Sequence, residues 1–160
     1  MDNRVKRAKW LLANIKHAAM ATVNEDGSPH NTPYFFMASS GLEELYWGSH
    51  PDSLHSINIV RTGKLFVVLY EANEVGGLYI ECTNGRIAEN DELERALARH
   101  NELRKSLGSD ELPKGYYESP SEQRMWLCDT NKFWINEAER DDNGKIRVDK
   151  RQPVTRLDLT

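Results

Sequence analysis

The segment YWGSHPDSLHSINIVR holds the residues best suited to chemistry. Ser49, Ser53, His55 and Ser56 cluster around Pro51, a residue that fits the first turn of a helix predicted over about 51–60. A helix start exposes unpaired N–H groups and a partial positive charge. Hydroxyls and imidazoles gathered there form a cradle suited to a phosphate. The same residues also read as a plain helix cap through Asp52 and Ser53. A second set is Trp134 with Arg147 and Arg151. An indole and two guanidinium groups can stack on and pair with a planar anion, although arginines in such a tail also suit a solvated face.

Other chemistries find little support. The chain carries no P-loop, G-x-G-x-x-G, H-E-x-x-H or G-x-S-x-G. His17, His30, His50, His55 and His100 form no tight pair with a carboxylate, so no metal site is expected. Cys82 and Cys128 lie far apart in sequence and read as buried structural thiols in a reducing, cytoplasmic setting. No residue stands out as a general base, and the catalytic residues stay unassigned. The formal net charge of −4 argues against nucleic acid and anionic membrane as partners. No apolar run is long enough for a membrane span, and the basic start MDNRVKRAKW lacks the apolar stretch of a signal peptide.

The elements that must position these residues follow from periodicity. The 160-residue length favours a single domain over 1–160. Val5, Ala8, Leu12 and Ile15 predict an amphipathic helix over about 3–17. Strands follow at Met20–Asn24, Pro29–Met37 and Leu42–Ser49. Leu54, Ile57 and Val60 supply the apolar stripe of the 51–60 helix. Lys64–Glu71 is a continuous apolar strand expected to be buried on both faces, and LYIECT is a fifth strand. A further helix begins near Asp91, where Asp91-x-x-Glu94 has the pattern of a capping box. Residues 107–122 form a long loop, suited to a lid or to a contact between subunits. QRMWLCDT and KFWINE predict two strands, Asn143-Gly144 a hairpin turn, and VTRLDL a last strand.

One strand is irregular. In SPHNTP, Pro29 and Pro33 cannot donate to a ladder, so this segment is either an edge strand or a backbone kept open for a ligand. Consecutive hairpins otherwise dominate, which predicts a mainly β protein whose antiparallel sheet closes into a barrel or roll.

Four segments stand in a telling order: MATVNEDGSPHNTPYFF, LYWGSHPDSLHSINI, GKLFVVLYE and GGLYIECT, followed more loosely by KFWINE and KRQPV. Together they resemble the pyridoxamine 5′-phosphate oxidase-like family of FMN-binding split barrels. The resemblance implies a six-stranded antiparallel split β-barrel with Greek-key connections. It also implies a homodimer holding FMN at the subunit interface and acting as an oxidoreductase on a small molecule. Carried over by position, Asn31, Thr32, Pro33, Tyr34, Phe35 and Met37 would face the isoalloxazine and ribityl chain. Ser49, Ser53, Leu54 and His55 would meet the phosphate end, and Gly77 would meet the ring. Trp134 and Arg151 would reach the flavin from the partner subunit, and Arg147 would meet substrate. The vitamin B6 oxidases carry Arg in place of Thr32, Lys in place of Met37 and Ser-Arg-Lys in place of Ser53-Leu54-His55. The resemblance is therefore to the family and not to that oxidase. Related barrels use the deazaflavin F420 or bind haem, and a barrel that has lost its cofactor would be a non-catalytic binding module.

Overall fold

The computed structural model describes residues 2–72 and 76–160; the side chains at 137–140 and 146–149 lie outside the described residues. The chain order is α1 (Asn3–Asn14), β1 (His17–Val23), β2 (Pro29–Phe35), β3 (Met37–Ala38), β4 (Glu44–Ser49), α2 (Leu54–Thr62), β5 (Leu65–Tyr70), β6 (Gly77–Ile87), α3 (Asp91–Ser106), β7 (Arg124–Arg140), β8 (Ile146–Val154) and α4 (Arg156–Leu159). All strand pairs are antiparallel, in the order β2-β1-β5-β6-β7-β4-β3, with β8 also paired to β7. The sheet curls into the half-barrel of a split barrel, flanked by helices. Its eight strands extend the expected six with the two-residue β3 and with β8. No helix among the described residues is long and apolar enough to cross a membrane.

Strand β7 explains how the barrel splits. Residues Arg124–Asp129 pair with β4, and Phe133–Arg140 pair with β8. The two predicted strands of this region are thus one long strand with successive partners. The polar DTN stretch does not break it, because its side chains find partners. Thr130 donates to the Leu42 carbonyl, and Asn131 Nδ2 donates to Thr83 Oγ1 at 2.9 Å.

Alternation along β4 and β7 builds two cores. Trp47, Trp126 and Cys128 point into the barrel, where the two indoles stack at 6.4 Å. Tyr46, Met125 and Leu127 point the other way, onto α3 and Tyr117 of the 107–122 loop. Tyr117 donates or accepts across 3.0 Å with His100 Nδ1 and lies against Gly48, where a Cβ would stand 2.8 Å from its hydroxyl. The loop is therefore fastened to α3 and β4.

Other local expectations are corrected. Helix α1 stops at Asn14, because the chain is already extended at Ile15 and β1 begins at His17. Strand β5 buries only Leu65, Val67 and Leu69; the alternate residues Phe66 and Val68 are half-buried. The Asp91 capping box does not form, since the N-cap is Asn90 and it makes no side-chain cap bond. Within VTRLDL, only Val154 belongs to a strand. Thr155 and Asp158 instead close a capping box that starts α4.

Helix α2 departs most from expectation. Leu54, Ile57 and Val60 are 47%, 51% and 71% exposed, whereas Ser56, Asn58 and Ile59 are buried. Asn58 Nδ2 donates to Thr22 Oγ1 at 3.1 Å and to Asn24 Oδ1 at 2.9 Å, which satisfies the amide on the inward face. Ile59 reaches β6 where Gly85 leaves room; a Cβ at Gly85 would stand 2.5 Å from the Ile59 methyl. Polar bonds and one glycine thus set the rotation of this helix against its apolar stripe.

Candidate functional site

Strand β4 ends at Ser49 and α2 begins at Leu54. The bend between them brings three side chains into a triangle. Ser49 Oγ lies 2.7 Å from His55 Nε2 and 3.0 Å from Ser53 Oγ, and Ser53 Oγ lies 3.1 Å from His55 Nε2. Ser53 Oγ is also 2.8 Å from both the His50 carbonyl and Ser56 Oγ. One hydroxyl has a single proton and two lone pairs, too few for all four neighbours. Ser49 is held in place from below, since Trp126 Nε1 donates to its carbonyl at 3.2 Å.

The helix start is open in the same direction. Ser53 is the N-cap but makes no side-chain cap bond, and the first helical bond is Ile57 N–H to the Ser53 carbonyl at 3.0 Å. Among the described residues, the N–H groups of Leu54, His55 and Ser56 have no acceptor. Two hydroxyls, one imidazole and a helix terminus make a donor set suited to a phosphate. Leu54 projects from this turn, half exposed.

Strand β2 brings a further group. Its residues 29–35 pair in unbroken register with β1 despite both prolines. A proline cannot donate, so the pairs exchanging both ladder bonds fall at the alternate residues His30, Thr32 and Tyr34. The Phe36 N–H, of the same parity, donates to the Lys16 carbonyl at 2.7 Å. Pro29, Asn31 and Pro33 therefore turn their backbone to the open edge, where Asn31 is the one N–H donor between two prolines. Their side chains are exposed. Thr32 and His30 lie on the inner face, with Thr32 Oγ1 2.9 Å from His30 Nε2.

His30 is close enough to His55 for its charge to oppose protonation there. Burial first, and His30 second, hold the His55 pKa below the ordinary histidine value. Burial also lowers that of His100, with a contribution from Arg104. A histidine with a lowered folded pKa binds protons more readily in the unfolded chain. Its contribution to stability is complete above the ordinary value and falls as pH drops through that value toward the folded one. The melting temperature of the ligand-free protein is expected to be lower at about pH 5.5 than at about pH 8, either side of the usual value near 6.5. A His55→Gln, His100→Gln double variant, measured by thermal denaturation, should show a shallower pH slope.

The remaining sequence-predicted residues lie elsewhere. Arg151 sits 3.9 Å over the Tyr79 ring and 5.5 Å from that of Phe66, and Phe66 lies 6.1 Å from Trp134. This stack covers the outer face of β5, β6, β7 and β8. No hydrogen bond, ion pair or ring contact of the described residues joins it to the cradle. Tyr34 is buried in the barrel beside Trp47, and Phe35 meets His17 and His100. Met37 belongs to the second core. Gly77 permits a close strand approach, since a Cβ there would stand 2.5 Å from the Leu69 carbonyl oxygen. Arg147 lies on β8, but its side chain is outside the described residues. Arg61, a cation on α2, donates to the Val23 carbonyl near the far end of the helix and does not serve the cradle. His30 was absent from the sequence-based set; its spacing of two from Thr32 on a strand was the available signal.

No protein-family model and no curated protein sequence matches the chain. Solved structures do match by fold. A haem-binding protein from Mycobacterium smegmatis superposes with a TM-score of 0.66 at 15% identity, covering 99% of this chain and 60% of that one. The chain thus spans less than two thirds of that protein. A candidate pyridoxamine 5′-phosphate oxidase from Listeria innocua gives 0.60 at 16% identity, over 82% of this chain and 96% of that one. An F420 reductase gives 0.55 at 14% identity, over 78% and 94%. The chain has the split-barrel fold that these proteins share.

Proposed function

We propose that the chain is an FMN-binding flavoprotein: a cytoplasmic homodimeric oxidoreductase acting on a small molecule. One observation carries the reading. Ser49, Ser53 and His55 converge at an α2 terminus whose first N–H groups are open. A terminal phosphate monoester, with three free oxygens, uses such end-on donors more fully than the phosphodiester of F420. The donors are hydroxyls, a neutral imidazole and backbone N–H groups, so they fit the phosphate without the fixed cations of the vitamin B6 oxidases. Thr32, His30 and the Asn31 backbone lie along the strand that would flank the ring. Bound flavin would supply hydride chemistry. The chain's own residues would anchor the phosphate, fix the ring against β2 and exclude water.

The dimer is part of the same proposal. On β4 and the start of β7, α3 and the 107–122 loop cover the outer face of the sheet. On β1, β5 and β6, the outward residues Ala19, Ala21, Phe66, Val68 and Tyr79 are half-buried and belong to neither core, and Arg151 lies over Phe66 and Tyr79. A second copy would cover this face and bring its Trp134 and Arg151 toward the cofactor.

The test is titration of the purified protein with FMN, F420 and haem, followed by absorbance and fluorescence. FMN is expected to bind at micromolar or lower concentration with perturbed flavin bands. Failure of FMN to bind overturns the reading. Tighter binding of F420 or haem would replace FMN as the cofactor.

A further inference from the structure

A second concavity, of about 300 Å³, opens between α1, α3 and the join of β2 to β3. It shares no lining residue with the Ser49–His55 cradle. Its floor is apolar: Leu12 of α1, Phe36 and Met37 at the strand join, and Leu103 of α3. Phe36 and Met37 are almost fully buried and fix that floor. Its polar lining is three cations, Lys9, Lys16 and Arg99, with the hydroxyls of Ser39 and Ser40, and no carboxylate is among the lining residues. This is unexpected in a chain whose acids outnumber its bases, 25 to 21. Three carboxylates lie nearby, one of them Glu43, whose Oε2 accepts from the lining Ser39 hydroxyl at 3.0 Å. Glu102 accepts from Arg99 Nη1 at 2.9 Å, and the Lys9 charge helps lower the pKa of Asp158. Arg99 Nε donates to the Ala38 carbonyl at 2.9 Å, which pins the guanidinium, while Nη2 has no protein partner among the described residues.

We propose that this concavity binds a small amphiphilic carboxylate, of the medium-chain fatty acid class. The apolar floor takes the tail, since burying hydrocarbon is favourable by about 25 cal/mol per Å². Arg99 and the two lysines take the head, where a carboxylate accepts charge-assisted bonds from a fixed guanidinium. The volume is at the lower end of small-molecule sites, which selects a short tail. Cationic lining with no acid selects an anion over a neutral alcohol or an amine. The site needs no cofactor, so this inference stands or falls independently of the FMN reading.

The experiment titrates the protein with octanoate, octanol and octylamine below their aggregation thresholds and follows backbone amide shifts by NMR. Octanoate is expected to shift amides around Leu12, Phe36 and Leu103, with octanol at least tenfold weaker and octylamine silent. Arg99→Gln should weaken octanoate about tenfold, the factor that corresponds to one hydrogen bond to a charged group. Because Arg99 also holds the Ala38 carbonyl, Lys9→Gln serves as a second variant. Lys9 makes no hydrogen bond or ion pair among the described residues and only a longer-range contact with the exposed Asp158, so this neutral substitution should weaken octanoate with little change in melting temperature. Equal binding of octanol, shifts confined to the outer face of β1 and β5, or no octanoate binding at all would each overturn the proposal.

Discussion

Replacing Ser53 and His55 together by alanine is expected to weaken FMN binding about a hundredfold or more. Each hydrogen bond to a charged phosphate oxygen contributes about 1.5–3 kcal/mol. Loss of two therefore reaches about 3–6 kcal/mol, where every 1.4 kcal/mol is tenfold. Either single variant should lose about tenfold. The fold should survive, because the Ser53 hydroxyl makes no cap bond to the helix and His55 is only half-buried. Isothermal titration with FMN measures the affinity, and a melting curve checks the fold. The imidazole adds a second readout. His55 is held neutral by burial and by His30, and a phosphate beside it would favour its protonated form. Binding to the parent protein near pH 7 should therefore take up protons, visible as a dependence on the buffer's ionisation heat. His55→Ala should abolish that uptake. Unchanged affinity in the double variant would mean that phosphate does not sit in this cradle.

The cradle was legible in the sequence for a physical reason. Its residues are local: a strand end, a proline-marked turn and one helical turn bring Ser49, Ser53 and His55 together whatever the rest of the chain does. His30 was not legible in this way. Its place near His55 depends on the pairing of β2 with β1 and on the seating of α2 against them, and both are long-range. The prolines of SPHNTP now have a defined consequence. They leave the β1–β2 register intact and strip donors from the free edge, so that Asn31 is the one N–H offered between them.

Helix α2 shows where periodicity misleads. The spacing of Leu54, Ile57 and Val60 marks an apolar stripe, yet that stripe is the exposed one. A period identifies which residues share a face and does not say whether that face meets this chain or another. The side-chain bonds of Asn58 to Thr22 and Asn24 decided the rotation, and no local pattern announces them. Strand β7 failed for a related reason. Its polar interruption looks like a loop until Thr130 and Asn131 meet their partners on the β3–β4 connection and on β6.

Val68→Asp is expected to convert a dimer into a monomer and release the cofactor with it. Val68 points outward from β5 and is half-buried, opposite Ala19 on one side and Tyr79 on the other. In a two-fold dimer closing over this face, the substitution places a carboxylate in each copy's half of the interface. A buried and unpaired charge costs about 3–5 kcal/mol, enough to shift the dimerisation constant by several powers of ten. In the monomer the same side chain meets solvent, so the inner core of Val67, Leu69 and Ile80 keeps its packing. Light scattering should then read one 18.4 kDa chain where the parent protein reads two. If the partner's Trp134 and Arg151 complete the FMN site as proposed, FMN should leave at the same time. A parent protein that is itself monomeric at micromolar concentration, or a Val68→Asp variant that stays dimeric and flavin-bound, would show that this face does not form the interface. The sheet asymmetry is the physical ground for the expectation. Helix α3 and the 107–122 loop shield one outer half, and beside it stands an apolar half that is only half-buried, with Arg151 over Phe66 and Tyr79. A sheet face bearing Phe66, Val68, Tyr79 and Trp134 gains by burial against a surface of the same kind.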